Sequence, residues 1–148
     1  MEVKTKTMGT VSVSDDKVLT FPNGLFGFES CHKYALIDAE YKPFLWLQSL
    51  DEQSLAFLLI DPFLIEKNYE LDVDDKTLFE IEIESPTDVI VFAIITVPND
   101  SSPVTVNLQG PIVINRKNNQ ALQVILSDSK WSTKHNIIKS LKSKGGGE

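Results

Sequence analysis

A single cysteine, Cys31, and only two histidines, His32 and His135, leave this chain short of the side chains that most often do chemistry. One cysteine closes no internal disulfide and builds no multi-cysteine metal site, which fits a reducing compartment. Neighbours on a strand point to opposite faces, so Cys31 and His32 form no thiolate–imidazole pair there. The two histidines lack the H-x-H or H-x-x-x-H spacing that brings two imidazoles to one metal. No G-x-x-x-x-G-K-[ST] or G-x-G-x-x-G cradle for phosphate occurs, because NGLFGFE holds its glycines around a bulky insertion with no helix signal after it. The expectation is a protein with no catalytic residues, no metal and no cofactor.

Long apolar runs are missing as well. The longest, residues 89–95, falls far short of the roughly 18 residues a membrane-spanning helix needs. MEVKTKTMGT has no apolar leader and no cleavage-like site. A cytoplasmic protein with no membrane partner is expected. Positive charge is scarce: 14 Lys and Arg stand against 21 Asp and Glu, giving a net charge of −7 and a pI near 4.8. A polyanionic partner is therefore disfavoured, and no direct nucleic-acid binding is expected. The imbalance is also local, because residues 1–115 carry 7 Lys and 19 acids whereas residues 116–148 carry 7 Lys or Arg and 2 acids. An acidic body suits a basic protein partner, and simple solubility is the alternative reading.

What remains is a chain of 148 residues, long enough for one domain that removes about two-thirds of its unfolded surface from water. That domain is expected over residues 1–143, with the Gly-rich 144–148 a flexible tail. Short apolar runs separated by turn signals predict strands at 2–5, 10–13, 17–20, 33–37, 44–48, 55–60, 89–97, 104–107, 112–115 and 121–126. The fold class is all-β and mainly antiparallel, a small barrel-like or sandwich-like domain with one or two short helices. FLWLQ, LAFLLI and VIVFAIITV are apolar on both faces. Strict alternation would leave one face polar, so the outer face of these strands must lie under loops, a helix or a partner.

Two segments are ambiguous. DDKTLFEIEIES reads as a one-to-two-turn helix capped by Asp74 or Asp75 running into a strand, on which Glu80, Glu82 and Glu84 share a face. STKHNIIKSLKSK places Ile137, Ile138 and Leu141 on one side of a weak amphipathic helix. The acidic pairs Asp15-Asp16, Asp51-Glu52 and Asp74-Asp75 sit in turns, where carboxylates cap amides rather than act as acids and bases. Trp46 reads as core. Trp131, in a polar and basic stretch with Lys130, Lys134 and Lys139, reads as a surface anchor.

The stretch TFPNGLFGFES is unusual, since Phe21, Phe26 and Phe28 sit among Pro22, Gly24 and Gly27, which normally build exposed turns. Its rings either cap a barrel mouth or form a ledge for a partner. Taken with TKTMGTVSV, PFLWLQSLDEQSLAFLLIDP, VTVNLQGPIVIN and QVILSDSKWSTKH, in that order along nearly the whole chain, this stretch makes the sequence resemble the flagellar assembly factor FliW family. The resemblance implies a non-enzymatic cytoplasmic β-barrel that binds flagellin before export. It implies a second partner, the carbon storage regulator CsrA, an RNA-binding protein whose repression of flagellin synthesis is thereby relieved. Phe21, Pro22, Gly24, Phe44, Trp46, Gln48, Asp61, Pro62, Asn107, Pro111 and Asn115 are its motif residues, expected to be structural. Candidate contact residues are Phe26, Phe28 and the adjoining Glu29, the strip Glu80, Glu82 and Glu84, and Trp131. Two rivals are a small-molecule carrier built on an apolar barrel interior and an enzyme built on carboxylates and Cys31.

Overall fold

The computed structural model describes residues 1–98, 100, 102–127 and 130–136. Among the described residues, ten strands run in chain order: β1 Glu2–Lys4, β2 Thr10–Ser12, β3 Val18–Thr20, β4 Lys33–Asp38, β5 Leu45–Ser49, β6 Ala56–Ile60, β7 Val89–Thr96, β8 Thr105–Asn115, β9 Gln120–Gln123 and β10 His135–Asn136. Two short helices, α1 Pro62–Ile65 and α2 Asp75–Phe79, lie between β6 and β7. Strands β3 to β9 form a sheet in the order β8-β7-β6-β5-β4-β3-β9, and a β8–β9 pairing closes it into a barrel of seven strands. All but one of its seams are antiparallel. The exception joins β3 to β9 in parallel at one register pair, Thr20 with Gln120.

Alternation along the strands sorts the side chains. Leu36, Leu47 and Phe57 are successive cross-strand partners, as are Leu45, Leu59 and Ile94. With Leu19, Phe21, Leu25, Tyr34, Ile112, Ile114 and Ala121 they form one apolar cluster that fills the barrel, as expected for a barrel too narrow for a channel. The opposite faces of the same strands are apolar too, and they are covered. Ile60, Ala93, Ile95, Val106, Leu108, Val113 and Leu122 pack beneath α1, α2, Tyr69, Leu71, Val73, Ile81 and the returning segment of Val124, Leu126 and Trp131. The β1–β2 hairpin covers Ala35 and Ile37 of β4 with Val3, Val11 and Val13. The two-faced apolar strands are thus explained by cover from this chain itself.

The motif residues hold joints. Asp61 caps α1 by accepting from the Phe63 N–H at 2.9 Å, with Pro62 next to it in the first turn, where no N–H is needed. Gln48, 1% exposed, accepts from Lys6 N and donates to the carbonyls of Ser49, Gln53 and Leu55, tying the N-terminal loop to the β5–β6 turn. Asn115, 2% exposed, donates to the Ile81 carbonyl at 2.8 Å and accepts from Lys117 N, joining the end of β8 to the segment after α2.

Four expectations are corrected. The strands expected at 104–107 and 112–115 are one strand, β8, because the chain between them forms a bulge rather than a break. Asn107 Oδ1 accepts from the N–H groups of Gln109 and Gly110 there, and the register against β7 shifts between Phe92 and Ile94. After α2 no strand forms, since Glu82 adopts a positive φ of 60° and the chain turns. The strand expected to run to 126 stops as regular ladder at Gln123, although Val124 and Leu126 still donate to β8. His135 and Asn136, expected to begin a helix, pair with β8 as β10. Ile137, Ile138, Lys139, Leu141 and the tail 144–148 lie outside the described residues.

Candidate functional site

Grooves open on the outside of the barrel, and among the described residues the linings of three of them hold no lysine or arginine. The first, about 710 Å³, runs between the 23–29 loop, the approach to α2 and residues 122–127, with Glu29, Asp72, Asp74 and Glu80 among its lining. The second, also about 710 Å³, lies between α1, α2 and β7 and is lined by Phe63, Leu71, Val73, Leu78, Phe79, Ile83, Val89 and Val91, with Asp75 and Glu84 at its polar side. The third, about 430 Å³, is lined by Met8, Tyr41, Phe44, Trp46 and Leu58. Isolated exposed apolar residues are common, but contiguous ones mark interaction surfaces. Phe79 is 77% exposed, and Phe63, in the same lining, is 42% exposed.

These exposed rings follow from local geometry. α2 is five residues long, too short to turn every apolar side chain of KTLFEI to the core. Leu78 and Ile81 reach inward, and Phe79 is left outside. Asp74 holds the helix start by accepting from Thr77, and those bonds keep its carboxyl below the usual range. Asp51 is lowered likewise, by the backbone N–H groups of His32 and Lys33 at 3.0 and 3.2 Å. Asp74 thus caps a helix, and Asp51 ties the β5–β6 turn to the chain entering β4.

The sequence-derived candidates fall in different places. In the FPNGLFGFES loop, Phe21 and Leu25 are buried at 0% and 2% and close the barrel end, so the loop is in part a plug. Gly24, at φ +67°, donates to the Phe21 carbonyl, and Gly27, at φ +87°, sits inside a turn in which Phe28 N–H donates to Leu25. Phe28 is 40% exposed yet packs edge-on to Phe57 at 5.4 Å, whereas Phe26 is 54% exposed on the wall of the first groove. Glu29 accepts from Gly27 N at 3.0 Å and lines the same groove.

The acidic strip does not exist as a strip. Glu80 lines the first groove, Glu84 lines the second, and Glu82 accepts from Asn118 Nδ2, because the chain turns at Ile81-Glu82 instead of extending. The tryptophans exchange roles. Trp131 is only 8% exposed, stacked edge-on to Tyr69 at 4.9 Å under Lys130, and so is core rather than surface anchor. Trp46 is half-buried on the outer face of β5 and lines the third groove. Phe63 and Leu64 escaped sequence reading, since a four-residue helix carries no readable period.

The interior holds one polar oddity. Tyr34 is fully buried, ringed by Phe21 at 5.1 Å and Phe57 at 6.3 Å, and its hydroxyl has no hydrogen-bond partner among the described residues. Burial, helped by Cys31 and Asp51, pushes its pKa up to about 12. Tyr69 is raised as well, by burial, but its hydroxyl donates to the Leu108 carbonyl. Cys31 is half-buried against the interior cluster, and His32 Nδ1 lies 2.9 Å from the Phe21 carbonyl. Among the described residues no three His, Cys, Asp or Glu side chains gather as metal ligands, and no helix is long and apolar enough to cross a membrane.

Comparison with known proteins gives a consistent result. Residues 2–137 match a family model described as FliW protein. The chain is 53% identical to the flagellar assembly factor FliW of Treponema denticola over 98% of this chain and 99% of that one. It is 51% identical to the protein of the same name from Treponema pallidum, over 93% and 92%. A crystal structure of the flagellar assembly factor FliW superposes with a TM-score of 0.84 at 36% identity, covering 93% of this chain and 96% of that one.

Proposed function

Because the chain belongs to the FliW family, we propose that it is a cytoplasmic flagellar assembly factor, a binding protein without catalytic chemistry, that holds flagellin before export. In the same reading it binds the regulator CsrA and so relieves repression of flagellin synthesis. The observation that carries the flagellin half is the apolar groove between α1 and α2, with exposed Phe79 and Phe63 in its lining and Asp75, Glu84 and Ser85 at its polar side. A groove of that kind takes the apolar face of an amphipathic helix, the form an unassembled flagellin end segment adopts on binding. The CsrA half is supported by charge: an RNA-binding surface is basic, and this body carries 19 acids against 7 lysines over residues 1–115. The carrier alternative loses ground because the side chains of Tyr34, Leu47, Leu59, Ile112 and Ile114 occupy the barrel interior.

Calorimetric titration of the protein with its organism's flagellin and with CsrA, at low and moderate salt, tests both halves. Expected are binding to each, a CsrA affinity that falls steeply as salt rises, and a flagellin affinity that does not. Absence of binding to both overturns the reading, and binding to flagellin alone removes the translational arm.

A further inference from the structure

The first groove contains an unpaired piece of sheet edge. Beyond β9 the chain continues alongside β8, with Val124 N–H donating to the Pro111 carbonyl at 3.0 Å and Leu126 N–H to the Gln109 carbonyl at 2.8 Å. Alternate residues of a paired strand turn their backbone groups to opposite sides, so the N–H and C=O of Ile125 face away from β8. Neither has a hydrogen-bond partner among the described residues. The neighbour on that side, β3, meets β9 only at Gln120. The edge beyond is neither paired nor blunted by proline or lysine, the devices that usually protect one. The Ile125 side chain is 61% exposed.

The space beside this edge is a walled slot. One wall is the loop carrying Phe26, whose N–H donates to Gln123 Oε1 at 3.1 Å and so fixes the loop to β9. The other is α2 with Asp72 on its approach and Glu80 at its C-cap, and Glu29 adds a third carboxylate. A run of five residues, 123–127, offers about 17 Å of edge, enough for a short strand. We propose that this slot receives an extended, lysine- or arginine-bearing segment of a partner protein, bound as an added β-strand along residues 123–127. Backbone pairing with Ile125 supplies affinity, and Glu29, Asp72 and Glu80 select the cation while repelling polyanions. The proposal rests on the reading of the chain as a binding protein, but on neither named partner.

The probe is an acetylated, amidated octapeptide of alternating valine and lysine, titrated into the full-length ¹⁵N-labelled protein. Two versions of it are N-methylated on the valines or on the lysines. Expected are shifts centred on Ile125 and Ser127, slowed solvent exchange of the Ile125 amide, and a loss of at least about tenfold in affinity for one N-methylated version only, since a strand pairs through alternate residues. A valine–glutamate peptide is expected not to bind, and Glu80→Lys is expected to weaken the lysine peptide. The proposal is overturned if millimolar peptide leaves Ile125 unperturbed, if both N-methylated versions bind as the parent does, or if the glutamate peptide binds equally. A protein that binds flagellin or CsrA but not the peptide overturns only the edge site. One that binds the peptide but neither protein overturns only the proposed function.

Discussion

Replacing Tyr34 by phenylalanine removes one oxygen from the interior apolar cluster and almost nothing else. That hydroxyl is fully buried and unpaired among the described residues, a state that costs about 1–3 kcal/mol relative to hydration. The ring contacts with Phe21 and Phe57 survive the change. Tyr34→Phe is therefore expected to be neutral or to stabilise by about 1 kcal/mol, which raises Tm by about 2–4 °C in a domain of this size. Tyr69→Phe is the matched control. It strips the Leu108 carbonyl of its donor and is expected to destabilise by about 1–2 kcal/mol. Urea unfolding followed by tryptophan fluorescence measures both, with an unchanged m-value as the sign that only the native state was altered. Alkaline pH gives a second readout for Tyr34. A folded pKa near 12 against an ordinary value of 10.0 means that the folded state keeps its proton longer. That contribution is whole below pH 10 and is lost as pH rises from about 10 through 12. Tyr34→Phe is expected to flatten part of that alkaline loss. A Tyr34→Phe protein less stable by more than about 1 kcal/mol would refute the reasoning, because the hydroxyl must then be satisfied.

Further substitutions probe the loop, the groove and the acid limb. Gly24→Ala places a Cβ 2.6 Å from Glu29 Cα at φ +67°, whereas Gly27→Ala meets nothing within 4 Å. The first is expected to lose clearly more than the roughly 1–2 kcal/mol of left-handed strain that limits the second, and equal losses in urea melts reject the packing argument. Phe79→Ser, at a side chain 77% exposed, is expected to change stability by no more than about 0.5 kcal/mol while lowering flagellin affinity about tenfold. Phe26→Ala is expected to weaken flagellin binding by more than it lowers stability, and unchanged affinity in a folded variant removes Phe26 as a contact. Because its backbone donors hold the Asp51 carboxyl low, that group's contribution is present above about pH 4 and lost as pH falls below it. Asp51→Asn is expected to make unfolding less steep in acid, checked by circular dichroism from pH 5 to about pH 2.

The architecture was legible because the chain advertises it twice, once in strand spacing and once in strands apolar on both faces. Sequence reading required a cover for the outer face without saying which segment would supply it. That depends on contacts distant in the chain, such as Trp131 on Tyr69, and no local pattern in SDSKWSTKH encodes them. The same blindness made Trp46 look buried, since its neighbours Leu45 and Leu47 face in while it faces out. The stretches 104–107 and 112–115 read as separate strands until Asn107 is seen to satisfy the bulge between them. Glu80, Glu82 and Glu84 have the spacing of a strand face, but α2 and the positive φ of Glu82 take that geometry away. At the grooves, Phe26 and Glu29 were visible as apolar and acidic excess in a turn. Phe63 was hidden by the brevity of α1.

The single parallel seam between Thr20 and Gln120 also sets a clock during synthesis. β3 emerges from the ribosome early, but the strand that completes the ring follows about 100 residues later. At roughly 5–20 residues per second the growing polypeptide spends about 5–20 s as an open curl whose two ends have not met. Through that interval the inward leucines and isoleucines have only a partial wall around them. Closure of the barrel is thus gated by the arrival of β9, the last strand of its ring, and slow by the usual measure of sequence separation.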